Sequence, residues 1–139
     1  MKAPLYNDIL TICQEIASAS AADNDELRLA GCKKLQILCA TNQNSPNDHP
    51  LQWEALADFT DDGEQAMDIY EVALATAQQL ALPTFIASAY LAMAQRQVEF
   101  EEPVQALEFA NKANEAAQDI DSEELKAEIT ELLIQLSAA

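Results

Sequence analysis

Two stretches of the chain, "GEQAMDIYEVALATAQ" from Gly63 to Gln78 and "PVQALEFANKANEAAQ" from Pro103 to Gln118, lie over one another forty residues apart. Gln65 falls on Gln105, Ala66 on Ala106, Ala73 on Ala113, Ala77 on Ala117 and Gln78 on Gln118. The same offset carries Phe85 to Leu125 and Met93 to Leu133, so the repeated unit is longer than one helix. Apolar residues at helical spacing in both copies make the unit a helix pair. One pair cannot bury both of its apolar faces alone; stacking successive pairs does. Alanine has a mechanical part in this. At a helix crossing it lets the backbones approach, while larger residues fill the space beside it.

Composition agrees. Only two glycines and five prolines interrupt 139 residues that are half hydrophobic, and aromatics make up 6%. Such a chain is one domain by length and helical nearly throughout, with little from which to build a sheet. Twenty-four acidic residues against seven basic ones give a net charge of −17. This disfavours nucleic acid and anionic membrane surfaces as partners, since both need clustered Lys and Arg. It suits a solvated surface and attracts basic protein segments. "MKAPLYNDILTICQEIASASA" lacks the apolar core of a signal peptide, and no run is long enough to span a membrane. Three cysteines, Cys13, Cys32 and Cys39, form no C-x-x-C motif. A reducing cytoplasm is the expected location.

Seven helical segments follow from periodicity and start signals. The first, about 4–20, carries Tyr6, Ile9, Leu10, Cys13, Ile16 and Ala17 on one stripe; the second, about 24–40, carries Leu27, Gly31, Leu35 and Leu38 behind a start at Asp23 and Glu26. "TNQNSPND" is the one polar, breaker-rich linker. Pro50 opens the third segment, which reaches Phe59; Asp61 and Glu64 open the fourth, to Leu80. Pro83 opens the fifth, to Glu99, and Pro103 the sixth, to Gln118. Asp121 and Glu124 open the seventh, which carries Leu125, Ile129, Leu132, Leu133 and Leu136. The expected organisation is a single domain: an N-terminal hairpin (1–41), a linker (42–49), two helix pairs (50–121) and a C-terminal capping helix (122–139). The last has Glu123, Glu124, Lys126, Glu128 and Glu131 to solvate an outer face and end the array.

Tyr90-x2-Met93-Ala94-x2-Gln97, followed by Ala106, Ala110 and Ala113, resembles a tetratricopeptide repeat. Trp53-x2-Leu56-Ala57-x2-Thr60, followed by Ala66-x3-Tyr70 and Ala73, is a second copy with a shorter gap from Thr60 to Ala66. Tyr6-x2-Ile9-Leu10-x2-Cys13 matches only the opening of the pattern. The period of forty resembles a long-helix variant in which the second helix gains turns. The resemblance implies an all-α fold of antiparallel hairpins stacked as a short right-handed solenoid of about seven helices. It also implies a concave face that binds a protein segment. By position, the groove residues would be Ser88, Leu91, Gln95 and Val98 on the fifth segment and Glu128, Glu131 and Gln135 on the seventh. On the third segment the choice stays open between Leu51, Ala55 and Asp58. One subclass clamps acidic tails with Lys, Arg and Asn on these helices. Leu91, Gln95 and Glu131 stand there instead, so an acidic tail would be repelled. The expected occupant is a protein or peptide with apolar anchors and basic flanks.

Signals for chemistry are sparse. His49 sits in "NDHP" with no nucleophile beside it, and reads as a loop or helix-start residue. Cys32 and Cys39, seven apart, read as small buried hydrophobes rather than a metal or redox pair. Asp61–Asp62, Glu101–Glu102 and Glu123–Glu124 sit at helix starts, where they complement the dipole. Trp53 with Phe59 reads as core filling before a ligand cage. There is no glycine-rich phosphate loop and no H-E-x-x-H. The expectation is a non-catalytic adaptor or scaffold without cofactor or metal. The alternatives are a small acidic export-type chaperone holding a client protein, or a structural homo-oligomer.

Overall fold

The computed structural model describes residues 3–138; Met1, Lys2 and Ala139, assigned above to the N-terminal hairpin and the last helix, lie outside them. Among the described residues there are seven α-helices and no strand. They are α1 (Tyr6–Ala21), α2 (Asp25–Asn42), α3 (Pro50–Asp58), α4 (Gly63–Gln79), α5 (Pro83–Glu99), α6 (Pro103–Ala116) and α7 (Glu123–Ala138). The protein is all-α, as expected. Helices α4 to α7 begin at Gly63, Pro83, Pro103 and Glu123, a constant step of twenty residues. The forty-residue echo is two such steps. Ala66, Tyr70, Ala73 and Ala77 on α4 are buried, and so are their counterparts Ala106, Ala110, Ala113 and Ala117.

Three turns share one geometry. After α1, α4 and α5 the chain passes through Ala22-Asp23-Asn24, Leu80-Ala81-Leu82 and Phe100-Glu101-Glu102. In each, the middle residue is left-handed, with φ of 54°, 55° and 59°. The residue after it donates its backbone N–H to a carbonyl five positions back: Asn24 to Ala19 at 2.8 Å, Leu82 to Ala77 and Glu102 to Gln97 at 2.9 Å. This is the bond of a Schellman cap, usually built around glycine. Here Asp23, Ala81 and Glu101 take the position, and side chains other than glycine destabilise it by about 1 kcal/mol. Pro83 and Pro103 then start the next helix, where a missing N–H costs nothing.

Three helix starts lie one residue beyond those read from sequence. Asn24, not Asp23, caps α2, its Oδ1 accepting from the Leu27 N–H at 3.1 Å. Asp62, not Asp61, accepts from Gln65 at 3.0 Å, and Ser122, not Asp121, accepts from Leu125 at 3.2 Å. For Asp23 the reason is the preceding turn, which takes it into the left-handed region and leaves Asn24 free to cap.

The chain divides into two compact units, Met1–Ile69 and Tyr70–Ala139. Residues 42–49 lie inside the first unit, where α3 packs on both α1 and α2, and the boundary falls within α4. The linker is a folded turn. Asp48 accepts from the Asn44 N–H through one oxygen and from Trp53 Nε1 through the other, both at 2.8 Å, which ties α3 to the end of α2. In this first unit, Ile9, Ile16 and Ala19 of α1 and Gly31, Leu35 and Cys39 of α2 are buried. Leu27, expected on the apolar face, is 60% exposed. In the second unit α6 packs against α5 and α7. Its core joins Ala87, Leu91 and Ala94, Ala110, Ala113 and Ala117, and Ile120, Ile129 and Leu132, rimmed by Tyr90, Phe109, Leu125, Leu133 and Leu136.

Gly31 marks the closest approach in the first unit. A Cβ there would lie 2.6 Å from Cγ1 of the fully buried Ile16. Gly31→Ala should therefore lose about 1–3 kcal/mol in urea unfolding, although alanine favours an exposed helix. Ala81→Gly should do the opposite, raising stability by about 0.5–1 kcal/mol in the same measurement by relieving the left-handed residue.

Candidate functional site

Helices α5 and α7 both rest on α6, whose buried stripe Ala106, Ala110 and Ala113 continues into its C-terminal cap, Ala117. Small residues there let both helices settle close to it. Beside this core α5 and α7 line an open cleft of about 510 Å³. Gln95, Val98 and Glu99 come from α5, and Glu128, Glu131, Leu132 and Gln135 from α7. Successive lining positions three or four apart lie on one helix face.

Five of the seven residues singled out in the sequence are therefore together: Gln95, Val98, Glu128, Glu131 and Gln135. The other two are not in the lining. Ser88 is half-buried elsewhere on α5. Leu91, expected to face the groove, is 4% exposed and belongs to the core. It lies four residues after Ala87 and three before Ala94, so it shares their face against α6. Glu99 and Leu132 were not foreseen. Each sits four residues beyond a foreseen neighbour, Gln95 and Glu128, a spacing that would have found them. On α3, Leu51 and Ala55 are half-buried and Asp58 is exposed.

The lining combines acidic, amide and apolar side chains. Glu99, Glu128 and Glu131 contribute three carboxylates, Gln95 and Gln135 two carboxamides, and Val98 and Leu132 the apolar surface. Arg96, outside the lining, reaches Glu99 Oε2 at 3.3 Å through Nη1. Glu128 and Glu131, one turn apart on α7, form no ion pair among the described residues. A second open cleft, of about 550 Å³, lies between α1 and α2 beside Ser18, Leu27 and Ala30. Glu15 and Lys34 on its lining pair with each other at 3.1 Å, leaving it without net charge.

Elsewhere the reactive side chains serve the fold. Cys39 is fully buried, its Sγ donating to the Gln52 carbonyl at 3.3 Å, and burial pushes its thiol up to about 12, with Asp48 adding to the effect. Burial also raises Cys13, helped by Asp58. It raises Cys32 as well, where Arg28 opposes and Asp61 adds. None of these is a thiolate at neutral pH, so none is an activated nucleophile. Among the described residues no three His, Cys, Asp or Glu side chains are grouped to hold a metal ion. No described helix is long and apolar enough to cross a membrane. Trp53 is 8% exposed, packed into the first unit. Gln52 beside it is fully buried, with no hydrogen-bond partner for its carboxamide among the described residues. Comparison with family models, with curated proteins and with solved structures found no match for this chain.

His49 caps α3, its Nδ1 accepting from the Leu51 N–H at 3.1 Å. Burial lowers its pKa below the ordinary imidazole value, against the opposing pull of Asp48. A depressed folded pKa means that the unfolded chain binds the proton more readily as pH falls. The stability is present above about 6.5, the free-imidazole value, and is lost as pH falls through the folded pKa. Protonation also removes the acceptor that caps the helix. Urea midpoints measured from pH 7.5 down to 5 should fall across that window. His49→Asn, which keeps a capping acceptor without the titration, should flatten the fall.

Proposed function

We propose that this chain is a non-catalytic protein–protein interaction module, an adaptor or scaffold, built from tetratricopeptide-like helix pairs. A segment of another protein docks in the cleft between α5 and α7. The observation that carries this reading is that five positions chosen from the repeat pattern, on two separate helices, line one open cleft. Most of the pattern residues support it: Trp53, Leu56, Ala57, Ala66, Tyr70 and Ala73 are buried, as are Met93, Ala94, Gln97, Ala106, Ala110 and Ala113, while Thr60 and Tyr90 are half-buried. In this family such positions hold the helices together and leave the other face for a partner.

The absence of activated thiols and the use of His49 as a helix cap favour binding over catalysis. Three free cysteines suit a reducing compartment. The net charge of −17 turns the module toward protein partners and away from nucleic acid and anionic membranes. Leu132 belongs to both the cleft lining and the packed core, so the cleft stands on an already closed core.

A photo-crosslinking amino acid at Gln135, exposed in the cleft, should trap a discrete adduct in native lysate. The same group at Glu108, exposed on α6, should not. Equal adducts from both positions, or none from Gln135, would remove the cleft from the account.

A further inference from the structure

Glu128 and Glu131 face one cleft from adjacent turns of α7, and like charges at this spacing repel. Glu99 joins them from α5, and the lining contains no lysine or arginine. Of the three, Glu99 alone forms an ion pair among the described residues, with Arg96. With seven basic residues against twenty-four acidic ones, the chain has little of its own with which to neutralise these carboxylates. The same lining holds two apolar residues, Val98, 44% exposed, and Leu132, 9% exposed. A bare cation would satisfy the charges and leave Val98 in water. A plain apolar segment would cover Val98 and desolvate unpaired carboxylates, which is costly.

We infer that the occupant of the cleft is a basic amphipathic protein segment. It sets an apolar side chain against Val98 and Leu132, between lysine or arginine residues that meet Glu99, Glu128 and Glu131. This rests on the interaction-module reading and names the partner's chemistry. One consequence separates it from general attraction to an acidic protein: affinity depends on both the apolar and the basic positions of the segment. As with any attraction between exposed charges, it also falls as salt screens the carboxylates.

The test uses the full chain and three synthetic peptides of equal length: one of leucine and lysine, one of serine and lysine, and one of leucine and glutamate. Binding is followed by NMR through the side-chain amides of Gln95 and Gln135. The leucine–lysine peptide should shift both amides. Glu128→Gln with Glu131→Gln, which removes charge and keeps shape, should weaken it on the order of tenfold and flatten its salt dependence. Equal binding of the serine–lysine peptide would overturn the apolar anchor. Binding of the leucine–glutamate peptide, an unchanged affinity in the double variant, or no binding of the leucine–lysine peptide would overturn the inference. An adduct from Gln135 in the lysate would still uphold docking at the cleft in those cases, so the two readings fail separately.

Discussion

Alanine at the helix crossings is the constraint from which the second unit is built. On α6 the stripe Ala106, Ala110 and Ala113, continued by the cap Ala117, is buried, and α5 answers it with Ala87 and Ala94. Alanine contributes little apolar area by itself. Its part is to remove volume where the backbones meet, so that Tyr90, Phe109, Leu125, Leu133 and Leu136 can close around the crossing. Because α5 and α7 both settle on this stripe, the faces they turn outward line one cleft. The first unit solves the same problem once, with Gly31 against Ile16.

A second constraint is the shortage of glycine. Two glycines serve the whole chain, and neither stands in the three tight turns. Those turns use Asp23, Ala81 and Glu101 in the left-handed region, held there by the Schellman hydrogen bond and by the helices on either side. The two that follow α4 and α5 recur twenty residues apart, and each is followed by proline. Helix length, turn geometry and proline together set the twenty-residue step on which the forty-residue echo rests.

Much of this was legible in the sequence. Helical spacing located all seven helices, and proline placed the starts of α3, α5 and α6. The alanine echo picked out the buried stripes of α4 and α6. Cap identity was read one residue early at α2, because a left-handed aspartate looks like a capping aspartate when no glycine marks the turn. The fold of the linker was hidden as well. Its composition signals a breaker, whereas Asp48 bridging Asn44 and Trp53 makes it a clasp that joins α3 to the first unit. Leu91, expected to face the groove, is packed in the core. A pattern of large and small residues identifies two faces of α5, and a leucine three residues before Ala94 fits either until the packing partner is known. Gln95, Val98, Glu128, Glu131 and Gln135 were chosen by their spacing rather than their residue type, and they line one cleft.

The link from packing to function runs through one helix. If α6 sets the positions of α5 and α7, enlarging its stripe must disturb both stability and the cleft, although no cleft residue is touched. The direct measurement is urea unfolding of Ala110→Leu, alongside NMR of the Gln95 and Gln135 side-chain amides. Ala127→Leu, on the exposed face of α7, serves as the control. The account predicts a loss of about 1–3 kcal/mol and displaced cleft resonances for Ala110→Leu, with the control within about 0.5 kcal/mol of the parent. Parent-like stability and an undisturbed cleft in Ala110→Leu would contradict it.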